Sequence, residues 1–360
     1  MQVTIRPDRI KAFGDVDRSD FCLVTNSNYV NNFVIEDAER YAGTKVVAFD
    51  EGEDFAVTLR EKIPDRAHIL GILPDCLLHS VKPGVLGKRK LMIMACRSGK
   101  TGLDGIEHFV RIGEDIDPDG QEAFAEEFFE KGQRAEMLKL VDPQYGTLAE
   151  FDHMDDNLEW HEQLGTLEWG QQQVWPSGEI ACFLVPLKIK ELDQRRFRIN
   201  GQFALKGLVI VQSGPPSFLL EDQVRIFNDL ITIQNHAVIL DVKNGDVVGH
   251  RASHPECQPA ADILEALFAV DSRFRRLYEV GFSMNSHVTP WPGNTAMNEV
   301  WGGTHGHIHL GLGMLPHTQY HLDIFCSGTH VLGKDDEVFF GAPQMKMKRK
   351  RTGACPCTAI

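Results

Sequence analysis

FCLVT (Phe21–Thr25), KVVAF (Lys45–Phe49), AHILGIL (Ala67–Leu73) and LMIMAC (Leu91–Cys96) are four short apolar runs set between polar or glycine-containing stretches. Runs of this length without polar alternation read as strands buried on both faces. Around them, FVIEDAERYAG from Phe33 and QEAFAEEFFEKGQRAEML from Gln121 show helical spacing of apolar residues and end in or near glycine. Strands alternating with helices predict an α/β layer with a mostly parallel sheet over residues 1–150.

Further along the chain the texture changes. Residues 145–178 are acidic and polar (EFDHMDDNLEWHEQ from Glu150) and suit a linker or a partly helical crossover. Beyond them, FRINGQFALKGLVIVQ (Phe197–Gln212) alternates apolar and polar residues. NHAVILDVKNGDVVGH (Asn235–His250) places two valine- and isoleucine-rich runs around Asn244-Gly245, the preferred pair for a type I′ hairpin turn. QPAADILEALFA (Gln258–Ala269) reads as one helix, and Leu277–Phe340 as short strands with glycine turns. The expectation is an α+β metal-binding domain over 151–345, rich in antiparallel strands, followed by a flexible basic tail over 346–360. The basic run MKMKRKR (Met345–Arg351) reads as solvated.

The whole chain excludes several function classes. It has 360 residues, 42% apolar and 24% charged, with a net charge of -14 and a mean hydropathy of -0.22. That charge argues against nucleic acid as a partner, since phosphate binding rests on lysine and arginine. There is no uncharged apolar run long enough for a transmembrane helix, and the start lacks a secretory pattern, so a cytoplasmic location is expected. The eight cysteines have no framework spacing and read as buried thiols; the Cys355–Cys357 pair is assigned no function. SGKTG at 98–102 has Met94 where a phosphate loop needs its first glycine. No GxSxG or catalytic-cysteine context supports a serine or cysteine nucleophile.

Histidine is concentrated instead. Seven of fifteen lie after residue 280: His287, His305, His307, His309, His317, His321 and His330. In THGHIHLGLG, His305, His307 and His309 are two apart and share one face of a strand; so do His321 and Asp323 in HLDIF. Neighbouring strands can bring imidazoles and a carboxylate to one point, the donor set of zinc, cobalt, manganese or iron(II). The plainer alternatives are a row of surface histidines, or a buried pair in which Asp323 orients His321. Spacing leaves open which of the three alternating histidines is a ligand.

WPSGEIACFLVP (Trp175–Pro186), RRLYEVGFSMN (Arg275–Asn285), GNTAMNE (Gly293–Glu299), HIHLGLG (His307–Gly313) and HLDI (His321–Ile324) occur in that order. In this ordered set, from Trp175 onward, the chain resembles the aminopeptidase T family of metallopeptidases and their relatives, the 2,5-dihydroxypyridine dioxygenases. The resemblance implies Glu179, Glu279, His307, His321 and Asp323 as metal ligands, with His307 chosen over His309 by its place in the family's motif. It implies two divalent ions (zinc, cobalt or manganese), a peptide or small-molecule substrate, a hydrolytic reaction on a peptide or amide bond, and a dimer. Glu299 is the candidate general base. Met314 stands where the family has a tyrosine, and Tyr320 is the candidate to replace it. The dioxygenase side implies one iron(II) instead; its first histidine falls at Glu279, so iron would need His307 or a neighbour. A third expectation is a non-catalytic peptide-binding protein of peptide maturation on the same scaffold.

Overall fold

The four apolar runs form the strands Asp20–Thr25, Thr44–Ala48, Arg66–Ile72 and Lys88–Met94. The computed structural model describes residues 1–77, 80–82, 84–184, 195–213, 220–315 and 317–341. The four strands pair in parallel, and Gln172–Val174 adds a fifth alongside Lys88–Met94. Both faces of this sheet are covered, which is why its strands are apolar throughout. Phe21, Leu70 and Met92 meet Ile106 and Phe109 of the helix Leu103–Glu114 on one side. Cys22, Ile69 and Leu91 meet Phe55 and Leu59 of the helix Phe55–Lys62 on the other.

Two expectations are corrected. The stretch from Phe33 is not a helix: Phe33–Ile35 is a strand parallel to Val3–Ile5, and Asp37 has a φ of 45°, which a right-handed helix cannot contain. Residues 145–178 are neither linker nor helix but carry Thr147–Phe151, Leu158–Gln163 and Gln172–Val174. Leu158–Gln163 lies at a sheet edge, where charged side chains are tolerated and protect against further pairing, so its acidity marks an edge strand. The change of layer is also more interwoven than a boundary at residue 150. Leu138–Asp142 already belongs to the antiparallel part, and Gln172–Val174 returns to the parallel sheet.

The helix Pro118–Arg134 leads into that antiparallel part. A seven-stranded sheet runs in the order Asp246–Ala252, Val238–Lys243, Ile199–Leu205, Thr147–Phe151, Leu138–Asp142, His330–Leu332, Val338–Gly341. The hairpin turns where its sequence indicates, with φ of 49° at Asn244 and 75° at Gly245. A six-stranded sheet runs in the order Val209–Ser213, Tyr320–Phe325, His307–Leu312, Leu277–Ser283, Glu179–Leu184, Leu158–Gln163, antiparallel at every step.

The two faces of the six-stranded sheet differ. Ile180, Cys182, Val280, Phe282, Ile308, Leu310, Leu322 and Ile324 alternate onto one face, in the core shared with the seven-stranded sheet and the helices Leu220–Leu230 and Gln258–Val270. Each such side chain contributes roughly 1.5–3 kcal/mol on burial. This face holds the sheet flat against its support and leaves the other free to carry polar groups.

All six described cysteines are buried free thiols, as expected; Cys355 and Cys357, like the tail, lie outside the described residues. Among the described residues no helix is long and apolar enough to cross a membrane.

Candidate metal centre

Each carboxylate of the polar face is set in place by local sequence. In WPSGE, buried Trp175 packs on Gly113, and the Ser177 carbonyl accepts from Asn285 Nδ2 (2.6 Å) and Gln121 Nε2 (3.1 Å). Gly178, with φ of 133°, then turns the chain into the strand that begins at Glu179. In GNTAMNE both asparagines clamp backbone. Asn294 bonds both ways to Val211 (2.9 and 2.8 Å), and Asn298 bonds both ways to Trp291 (2.9 and 2.9 Å). The 3-10 turn Ala296–Val300 thereby holds Glu299 over the sheet.

Strand register brings the rest together. Glu179 pairs with Ser283, Gly281 with His309 and Gly311 with Asp323, so Glu179, Glu279, His309, His321 and Asp323 rise from one face of four adjacent strands. His309 Nε2 lies 3.2 Å from Glu179 Oε1, 3.6 Å from Glu279 Oε1 and 3.8 Å from Glu299 Oε1. His321 Nε2 lies 3.1 Å from Glu279 Oε2 and 2.6 Å from Asp323 Oδ1. These are two groups of donors, Glu179–Glu279–Glu299–His309 and Glu279–His321–Asp323, joined through the two oxygens of Glu279.

The hydrogen bonds determine what the imidazoles offer. The Ser283 hydroxyl donates its one proton to the Glu299 carbonyl (2.5 Å), so it accepts from His309 Nδ1 (3.1 Å). His321 Nδ1 faces the Gly313 carbonyl at 2.7 Å and must donate to it. Each neutral ring therefore turns the lone pair of Nε2 toward carboxylate oxygens. Glu179 Oε1, His309 Nε2 and Asp323 Oδ1 are buried without a hydrogen-bond partner. Lone pairs facing lone pairs in a buried site need a cation between them.

The electrostatics point the same way. Four carboxylates stand against two imidazoles, so with every carboxylate ionised the cluster is negative even with both rings protonated. Burial, reinforced by repulsion from Asp323, Glu179 and Glu279, pushes the Glu299 carboxyl well above its usual range. Burial also raises Glu179. Burial opposes the charge of Glu279 as well, but the two imidazoles beside it, His309 and His321, outweigh burial and lower this carboxyl to about 2. Burial likewise disfavours charge on both imidazoles; Glu179 and Glu279 around His309, and Asp323 and Glu279 around His321, overcome it and raise both rings. A proton or a metal ion answers the same demand. Carboxylate and imidazole donors alone, without thiolate, suit a divalent ion such as zinc, manganese or cobalt.

Of the residues named from sequence, the structure gathers Glu179, Glu279, Glu299, His321 and Asp323. It does not gather His307, whose ring stacks on Trp301 with centroids 4.2 Å apart; burial, then the charge of His305, lowers it to about 4. His309 holds the place in the cluster instead, and His305 is exposed ahead of the strand. Tyr320 is also corrected: one residue out of phase with His321 and Asp323, it enters the apolar core on the opposite face, near Asp222 and Arg225. A surface group, His236–His254–Glu256, has the composition of a ligand set but not its hydrogen bonding. His254 Nδ1 accepts from the Glu256 N–H at 3.2 Å, which places the ring proton on Nε2. A cleft of about 540 Å³, lined by Gln121, Asn285, His287, His305 and Phe340 among others, opens nearby; none of the six donors lines it.

No family model matches the chain, and no curated protein matches it in sequence. Solved structures do. The 2,5-dihydroxypyridine dioxygenase from Pseudomonas putida KT2440 superposes with a TM-score of 0.57 at 14% identity, over 93% of this chain and 94% of that one. Wild-type AmpT from Thermus thermophilus gives 0.47 at 14% identity, over 91% and 94%. Across nearly its whole length, this chain has the fold of the dioxygenase structure.

Proposed function

We propose that the protein is a hydrolase of peptide or amide bonds that uses two divalent metal ions held by Glu179, Glu279, His309, His321 and Asp323, with Glu299 as the general base. The observation that carries this reading is Glu279, which presents Oε1 to His309 at 3.6 Å and Oε2 to His321 at 3.1 Å. A carboxylate with one oxygen in each donor group fits a bridge between two ions. Zinc, manganese or cobalt bound there would supply Lewis-acid polarisation of a carbonyl and a water activated at neutral pH.

The chain's own groups divide the remaining work. Asp323 and His309 are fully buried, and Glu179 and Glu279 nearly so, which suits fixed donors. Glu299 stands on a turn rather than a strand, with 20% of its side chain exposed. It is the carboxylate that reaches toward solvent and substrate, and it takes and returns the proton. The site's floor is rigid sheet, which keeps the donors in place without reorganisation.

A single iron(II) and ring cleavage form the second reading, motivated by the fold shared with the 2,5-dihydroxypyridine dioxygenase. The donor set weighs against it, because four carboxylates and two imidazoles exceed the two imidazoles and one carboxylate of a mononuclear oxygenase site. Elemental analysis after reconstitution with zinc, manganese, cobalt or iron(II) separates the readings. Two ions per chain, with cleavage of aminoacyl amides or short peptides that chelation abolishes, is the expected result. One oxygen-sensitive iron per chain, or peptide binding indifferent to chelation and without cleavage, would overturn it.

A further inference from the structure

We infer that Ser283 and Gln212 are positioning residues, each serving one of two separate cation subsites within the cluster; the inference rests on the two-metal reading above. Ser283 is fully buried at the start of the turn out of its strand. Its hydroxyl proton is committed to the Glu299 carbonyl at 2.5 Å, so toward His309 Nδ1 at 3.1 Å it offers only a lone pair. This one side chain fixes the tautomer of His309 and ties down the turn that carries Glu299. Without it, the His309 proton is free to move to Nε2, among Glu179, Glu279 and Glu299, where it competes directly with a cation.

Gln212 does the corresponding work at the other subsite. It pairs with His321 across adjacent strands, and its Nε2 donates to Asp323 Oδ2 at 2.8 Å. With Oδ2 held, Oδ1 is the oxygen turned to His321 Nε2, 2.6 Å away, and it is the one left buried without a hydrogen-bond partner. A residue that occupies one carboxylate oxygen in this way orients the other as a metal donor. Ser283 bonds His309 and the Glu299 carbonyl and Gln212 bonds Asp323, so these hydrogen bonds share no partner, and none of them goes to Glu279, common to both subsites. Loss of one should therefore be felt at one subsite only.

The test is a stepwise titration of the metal-free full chain with zinc and with cobalt against a chromophoric chelator, which resolves two affinities in the wild-type protein. Ser283→Ala should weaken one step about 10–100-fold and leave the other in place, the range expected for groups that orient a ligand. Gln212→Leu should weaken the other step by a similar factor. Ser283→Thr, which keeps the hydroxyl, should restore both affinities, a rescue that loss of packing alone does not predict. If the alanine variant fails to fold, near-isosteric Ser283→Cys, a weaker donor, should show an intermediate loss at the same step. Two wild-type ions with both variants weakening the same step, or neither weakening any, would overturn the inference while leaving the two-metal reading intact. A wild-type chain that takes up fewer than two ions would overturn that reading, and the inference with it.

Discussion

Two histidines two residues apart on one strand do different things, and their cross-strand neighbours decide which. His309 lies opposite Gly281, so its ring folds over an empty position toward Glu179; His307 lies opposite Ser283, two pairs nearer the strand end, and rests on Trp301. His309→Ala removes a donor outright and should cost more than about 100-fold in metal affinity, above the range for residues that only orient a ligand. His307→Ala should leave the ion count unchanged. Equilibrium dialysis with zinc measures both, and normal binding by His309→Ala would remove this ring from the site. Spacing alone could not choose between the two, since both point to the same side of the strand. The motif resemblance names His307, whereas the ring that the structure brings beside the carboxylates is His309, which has its room from a glycine 28 residues earlier in sequence and directly beside it in space.

At the scale of the strand, two glycines make the floor of the site. A Cβ on Gly281 would come within 2.0 Å of His309 Cε1 and 2.8 Å of Glu179 Oε1. One on Gly311 would lie 2.6 Å from Glu279 Cβ and 2.8 Å from His321 Cε1. Each imidazole thus occupies the space of a missing side chain, the use of glycine within a strand that lets another group approach closely. Gly281→Ala should displace His309 and Glu179, and Gly311→Ala should displace His321 and Glu279. Each variant should lose ions, with up to about 3 kcal/mol of destabilisation where the floor resists overpacking. Wild-type ion content in both, measured on folded protein, would show that the floor is not this tight. Strand composition was legible where a pattern was local: the four parallel strands, the Asn244-Gly245 hairpin and the helix at Gln258–Val270 lie where the sequence places them. Phe33–Ile35 was not, because its pairing with Val3–Ile5 is distant and overrides the helical spacing. Ser283 and Gln212 carried no sequence signal, since a lone serine and a lone glutamine gain meaning only from the partners that register supplies.

The whole molecule should be acid-sensitive through a residue remote from the cluster. His68 is fully buried in the parallel sheet, with Nδ1 3.0 Å from the Tyr41 hydroxyl and its ring stacked on Phe13 at a centroid distance of 4.7 Å. Burial, then the charges of Lys90, Arg40 and Arg66, lowers it from 6.5 to about 3. The unfolded chain binds this proton first, so the neutral ring's contribution is complete above the unfolded value and is lost as pH falls from 6.5 toward 3. Between pH 7.5 and 5.5 the linkage is on the order of 1 kcal/mol, from the shift in proton uptake across the unfolded value. Urea unfolding of the metal-free chain at the two pH values gives the wild-type difference, and His68→Phe should reduce it by on the order of 1 kcal/mol, whatever the variant costs at pH 7.5. An identical pH difference in the two proteins would place the acid sensitivity elsewhere and leave His68 as a packing residue.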